Sequence, residues 1–143
     1  MAHAVIPPRY AEVRVGDRLP TLAKPAIDRV QLALYAGASG DHNAIHLDDD
    51  RAKAVDLPGV IAQGMLSMAF LGQLVTDWTP LWTVRGLGGR FVAMVVPGAV
   101  LTCTGTIAGK SVTAGENRVE IDIAATDATG QTVVVGKAVV ALP

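Results

Sequence analysis

Two residues of this chain have the types and spacing that could do chemistry together: Asp41 and His46. They are a carboxylate and an imidazole five positions apart in Tyr35-Ala36-Gly37-Ala38-Ser39-Gly40-Asp41-His42-Asn43-Ala44-Ile45-His46-Leu47-Asp48. Water is a weak nucleophile toward an alkene, so adding it requires a group that binds and deprotonates the water and a proton source for the neighbouring carbon. An Asp and a His sharing one water fill both roles. A plainer account of the same residues is that Ser39-Gly40-Asp41 closes a helix and opens a turn, while His46 packs as an interior histidine. Spacing alone leaves both open. His42 reads as a solvent-facing loop residue, and His3 belongs to the N-terminal end.

The elements around this stretch follow from hydrophobic periodicity. Between Ile27 and Ala38, the residues Ile27, Val30, Leu34 and Ala38 recur about one helical turn apart with Asp28, Arg29 and Gln31 opposite, which predicts an amphipathic helix ending near Gly40. A short second helix is expected from Asp48, because Asp48, Asp49 and Asp50 suit free N–H groups, Arg51 and Lys53 suit the far end, and Pro58-Gly59 stops it. The dyad therefore falls in a helix-to-helix loop, the kind of segment a rigid scaffold holds out for function. From Gly64 to about Trp78 the chain is apolar on nearly every side, as expected of a central helix enclosed by other structure.

Past Pro80 the period changes. Val119, Ile121, Ile123 and Ala125 alternate with Arg118, Glu120, Asp122 and Ala124, the pattern of a strand with one wet face. Similar runs at 84–96, 100–112 and 132–142, separated by turn residues, predict four consecutive strands in an antiparallel meander. Helices followed by strands give an α+β domain in which one curved sheet covers the apolar helix. Gly86-Leu87-Gly88-Gly89 resembles part of a nucleotide-binding loop, but it lies in a β-rich run with no helix after it and is read as strand flexibility or a bulge. Met65, Met68 and Met94 are read as core filler.

Composition narrows the field. The 143 residues, half of them apolar, suit one domain over 1–143 that buries a continuous core without staples or metals. A net charge of −1 with scattered basic residues offers no footprint for nucleic acid or an anionic membrane. The single cysteine, Cys103, is expected in a buried strand and fits a reducing compartment. No stretch reads as a signal peptide or approaches the ~18 apolar residues of a membrane span, so a cytoplasmic location is expected. A charged fraction of only 17% is low for a free monomer and points to an oligomer interface.

The loop from Tyr35 to His46 resembles the motif of the MaoC-type (R)-specific enoyl-CoA hydratases: an aromatic residue, a small turn, then Ser-Gly-Asp-x-Asn-Pro-hydrophobic-His. The resemblance continues through Gly64-Met65-Leu66, Arg90-Phe91 and Val96-Pro97-Gly98 in the family's order; only about the first twenty-five residues carry little of it. It implies a hotdog fold, a curved antiparallel sheet wrapped around a central apolar helix. It also implies reversible hydration of a trans-2-enoyl thioester, carried by coenzyme A or acyl carrier protein, to the (R)-3-hydroxyacyl thioester. Asp41 and His46 would hold the water, Gly64 would offer its N–H as an oxyanion hole, and Asn43 and Gln63 would orient the loop or the substrate. No metal or organic cofactor is expected, and the partners implied are the thioester and a second copy of the chain in a homodimer.

Three positions depart from the motif: Ala44 replaces its proline, Gln63 stands where many relatives have histidine, and Gly72 where some have serine. Two other functions compete. A hotdog thioesterase usually aims a carboxylate from the central helix, yet no Asp or Glu occurs between Leu57 and Val75, and Asp77 sits at the far end. An acyl-binding subunit of a heteromeric dehydratase could dispense with the dyad, which this chain retains.

Overall fold

The computed structural model describes residues 5–143, so His3 lies outside the described residues. Helix α1, Arg29–Ser39, starts at Asp28, whose carboxylate accepts the Gln31 N–H at 2.7 Å, and stops at Gly40, whose φ of 76° is the left-handed cap that glycine takes without strain. The stripe it buries is not the expected one. Leu32 and Ala36 face the core, whereas Val30 and Leu34 are 66% and 69% exposed. Both stripes are apolar at helical spacing, so only packing could choose between them.

Helix α2, Asp49–Lys53, is capped by Asp48, which accepts the N–H groups of Asp50 and Arg51. It ends several residues before Pro58. Helix α3 spans Gly64–Trp78 and buries Leu66, Met68, Phe70, Leu71, Leu74 and Val75. Each large apolar side chain removed from water contributes about 1.5–3 kcal/mol. One narrow stripe stays open along it, at Met65, Ala69, Gln73 and Asp77, so the enclosure is incomplete.

The sheet has five antiparallel strands in the order β1-β3-β4-β5-β2. They are β1 (Leu22–Ala23), β2 (Val84–Phe91), β3 (Leu101–Thr113), β4 (Glu116–Asp127) and β5 (Thr132–Ala141). Val119, Ile121, Ile123 and Ala125 all point inward, as their alternation predicts. The four-strand meander needs correcting: only β3, β4 and β5 follow one another, while β2 ends at Phe91 and pairs with β5 on the opposite side from β3. The cause is the connection at 92–100. It crosses the start of α3, where the Ala62 N–H donates to the Val95 carbonyl at 2.7 Å, and so carries the chain to the other flank of the sheet.

The two sheet edges differ. Along β3 run β1 and an isolated bridge between Arg18 and Thr106. On the far side, among the described residues, β2 pairs only with β5 and is the least covered strand. Its glycines are strand residues, as read from the sequence: the register slips between Val84 and Gly86, and a methyl on Gly136 of β5 would collide with the Gly88 carbonyl. Cys103 is buried in β3, where burial pushes its thiol up to about 11. No described helix is long and apolar enough to cross a membrane.

Candidate active site

The loop between α1 and α2 brings Asp41 and His46 together. Ser39 ends α1 with its Oγ donating to the Tyr35 carbonyl and accepting the Asp41 N–H at 3.2 Å. The Asp41 carboxylate then divides its work: Oδ1 accepts the Asn43 N–H at 3.3 Å, and Oδ2 lies 3.5 Å from His46 Nε2. Asn43 turns its own side chain back into the loop, where Oδ1 accepts the Ile45 N–H and caps a 3-10 turn over Ala44–His46. Ala44 opens that turn, a position at which the N–H missing from a proline would go unused.

The ring of His46 is buried and its Nδ1 lies 2.8 Å from the Ile61 carbonyl oxygen. A carbonyl only accepts, so Nδ1 carries hydrogen, and in the neutral imidazole Nε2 is therefore a lone pair. Nε2 of that neutral ring and the carboxylate Oδ2 then face each other 3.5 Å apart as two acceptors, which cannot bond directly to one another. A molecule that donates an O–H to each satisfies both and keeps its own lone pair free. Water is such a molecule.

The chain then runs from Val60 into α3, tied on one side to the dyad loop and on the other to the 92–100 connection. Ile61 N–H donates to the Ile45 carbonyl at 3.2 Å, and Ala62 N–H to Val95. This brings the start of α3 beside His46, and no side chain caps the helix there. The first N–H groups of a helix point outward without an intrahelical partner and carry the positive end of its dipole. At Gly64 they open beneath the Phe91 ring, which a Cβ would approach to 3.2 Å. A cavity of about 200 Å³ joins His46 to the start of α3, with Gly64, Ser67, Phe91, Met94 and Val134 also among its walls; Asp41 is not one of them and meets the cavity through His46. A shallower depression of about 900 Å³ lies over Gly88, Asp122 and Lys137 on the outer face of the sheet and includes neither dyad residue.

Not every expected residue converges here. Gln63 is fully buried but turned away from the cavity: Nε2 donates to the Leu32 carbonyl at 3.1 Å, which ties α3 to α1. Gly72 does not line the cavity, and a Cβ added there would meet Leu87 at an ordinary contact distance of 3.4 Å. His42 is exposed. Of the three methionines read as filler, only Met68 is core; Met65 and Met94 are exposed and Met94 walls the cavity. Two further groups meet here that the sequence does not single out: the Ile61 carbonyl, which holds the His46 ring, and Ser67, which walls the cavity. Ser67 had one available signal, its place three residues after Gly64 on the same helix face.

Comparison with known proteins gives the family and the fold. Residues 11–129 match the model of the MaoC-like domain family. An R-hydratase of Pseudomonas aeruginosa, solved in its unliganded form, superposes with a TM-score of 0.80 at 30% identity and covers 94% of this chain and 85% of its own. The 3-hydroxyacyl-thioester dehydratase Z of Mycobacterium tuberculosis is 29% identical over 103 residues, 66% of each protein. Fatty acid synthase subunit beta of Saccharomyces cerevisiae is 36% identical over 96 residues, 62% of this chain, but the match spans only 5% of that subunit. The sheet wrapped around α3 is the hotdog fold of the R-hydratase.

Proposed function

We propose, on the premise that this chain belongs to the MaoC-like domain family, that it is a hydratase/dehydratase of acyl thioesters and that it adds water to a trans-2-enoyl thioester to give the (R)-3-hydroxyacyl thioester. One observation carries the proposal: Asp41 Oδ2 and His46 Nε2 stand 3.5 Å apart, with His46 walling an apolar cavity that also reaches the open N-terminus of α3. Asp41 and His46 hold a water and take its proton as its oxygen bonds to C3. The electron pair of the double bond moves toward the thioester oxygen, where the Gly64 N–H stabilises the enolate. A proton from the dyad then adds to C2, so atoms and charge balance without electron transfer.

The similarity to an R-hydratase supports the (R) product, and so does a dyad on one short loop that presents water to a single face of the enoyl plane. The thioesterase alternative finds no support in α3, whose one carboxylate, Asp77, lies at the end remote from the cavity. The acting species we propose is a homodimer, since β2 leaves an unpaired sheet edge and apolar Met65, Phe91 and Met94 are exposed beside the cavity. Incubating the purified protein with crotonyl-CoA and longer enoyl-CoAs in heavy water, followed by chiral analysis, tests the proposal. The expected product is the (R)-3-hydroxyacyl-CoA with deuterium on the face that receives the hydroxyl. An (S) product, or free coenzyme A with the double bond intact, contradicts it.

A further inference from the structure

Two buried side-chain atoms among the described residues lack a hydrogen-bond partner, and both belong to the start of α3: Gln63 Oε1 and Ser67 Oγ. Ser67 is 1% exposed, yet it walls the cavity shared by His46 and Gly64. A serine inside a helix ordinarily bonds back to a carbonyl of the preceding turn, and this hydroxyl does not. Alanine would be the better helix former and would bury no unsatisfied oxygen, so the hydroxyl has no function in holding the helix. Its direction is set by helix geometry: the Cα–Cβ bond tilts toward the N-terminus and residues three apart share a face. The Cβ of Ser67 is therefore directed toward the turn that holds Gly64, and both residues wall the same cavity.

Resting on the hydration reading above, we propose that the Ser67 hydroxyl is a second hydrogen-bond donor to the thioester oxygen, converging with the Gly64 N–H. The oxyanion site is then one backbone and one side-chain donor, and substrate supplies the partner that Ser67 lacks in the free protein. A second donor matters most when the oxygen carries the enolate charge, so its removal falls on turnover more than on KM.

Ser67→Ala tests this, with kcat and KM for hydration, the melting midpoint, and binding of two unreactive analogues: butyryl-CoA and its thioether counterpart S-butyl-CoA, which lacks the carbonyl oxygen. The expected result is a kcat lower by roughly ten- to a hundredfold at every acyl length, with KM within about threefold and an undiminished melting midpoint. The parent's preference for butyryl-CoA over the thioether should shrink in the variant. Turnover within about twofold of the parent overturns the inference, as does a loss confined to one acyl length. A lowered midpoint with full activity also overturns it, and assigns the hydroxyl to a structural bond with Gln63 one turn away. A parent that hydrates no enoyl-CoA overturns the functional reading instead, while the two analogues still report on Ser67.

Discussion

At the scale of single residues, the proposed chemistry rests on Asp41 Oδ2 and His46 Nε2, which face each other 3.5 Å apart. Asp41 has one oxygen held by its own loop and one turned to His46, whose tautomer is set by the Ile61 carbonyl. Asp41→Asn removes the carboxylate and offers an N–H where an acceptor is needed. His46→Gln can keep a donor toward Ile61 but has no basic nitrogen. Each substitution is expected to lower kcat for enoyl-CoA hydration by about a hundredfold or more, and the double variant by less than the product of the two losses, because both act on one water. Steady-state kinetics on the three variants checks this; a single variant that keeps most of its activity removes that residue from the dyad.

Between elements, the loop is braced by Asp49 at the start of α2. Its Oδ2 pairs with Arg29 of α1 at 2.7 Å and its Oδ1 accepts the Val60 N–H at 2.9 Å, so one carboxylate joins both helices to the segment that enters α3. The Val60 hydrogen bond above all, with Arg29 also contributing, holds this carboxyl below its ordinary value of 3.8. A carboxyl whose pKa is lower folded than unfolded stabilises fully above the unfolded value, and loses that contribution as pH falls through the folded one. Asp49→Asn should therefore lower the melting midpoint at neutral pH, and the gap from the parent should close as the pH drops below about 4, within the ordinary carboxylate range. Thermal scans from pH 7 to pH 3 measure the gap; one that stays constant with pH removes the carboxylate from this role.

For the whole molecule, the question is what covers β2. Its partner-free edge, the exposed Leu87 and Phe91 on it, and the open stripe of α3 at Met65 and Ala69 leave apolar surface on one side of the sheet. A second copy pairing β2 to β2 closes both edges with one two-fold contact. Sedimentation is expected to show a dimer at micromolar concentration. Leu87→Asp, which puts a charge on that edge, should shift it toward monomer with a loss of turnover. A parent that is monodisperse, active and monomeric contradicts the proposed assembly.

How much of this was legible beforehand differs from element to element. The bounds of α3 and the inward set of β4 were readable because they are local: an apolar run opened by Gly64 and closed before Pro80, and a period-two alternation from Val119 to Ala125. The approach of Asp41 to His46 was readable from their types and spacing, since a loop of a few residues brings its own ends together. Three things were decided only by tertiary structure. The buried stripe of α1 was one, because Leu32 with Ala36 and Val30 with Leu34 are both apolar pairs, and the pair with the larger side chains is the one left exposed. The crossing of β2 to the far edge was another, because pairing between distant strands depends on the path at 92–100 over α3. The turning of Gln63 away from the cavity and of Ser67 into it was the third. Periodicity says which faces of an element can be buried, but the partner that buries them is chosen by contacts between segments far apart in the chain, and those contacts set the walls of the site.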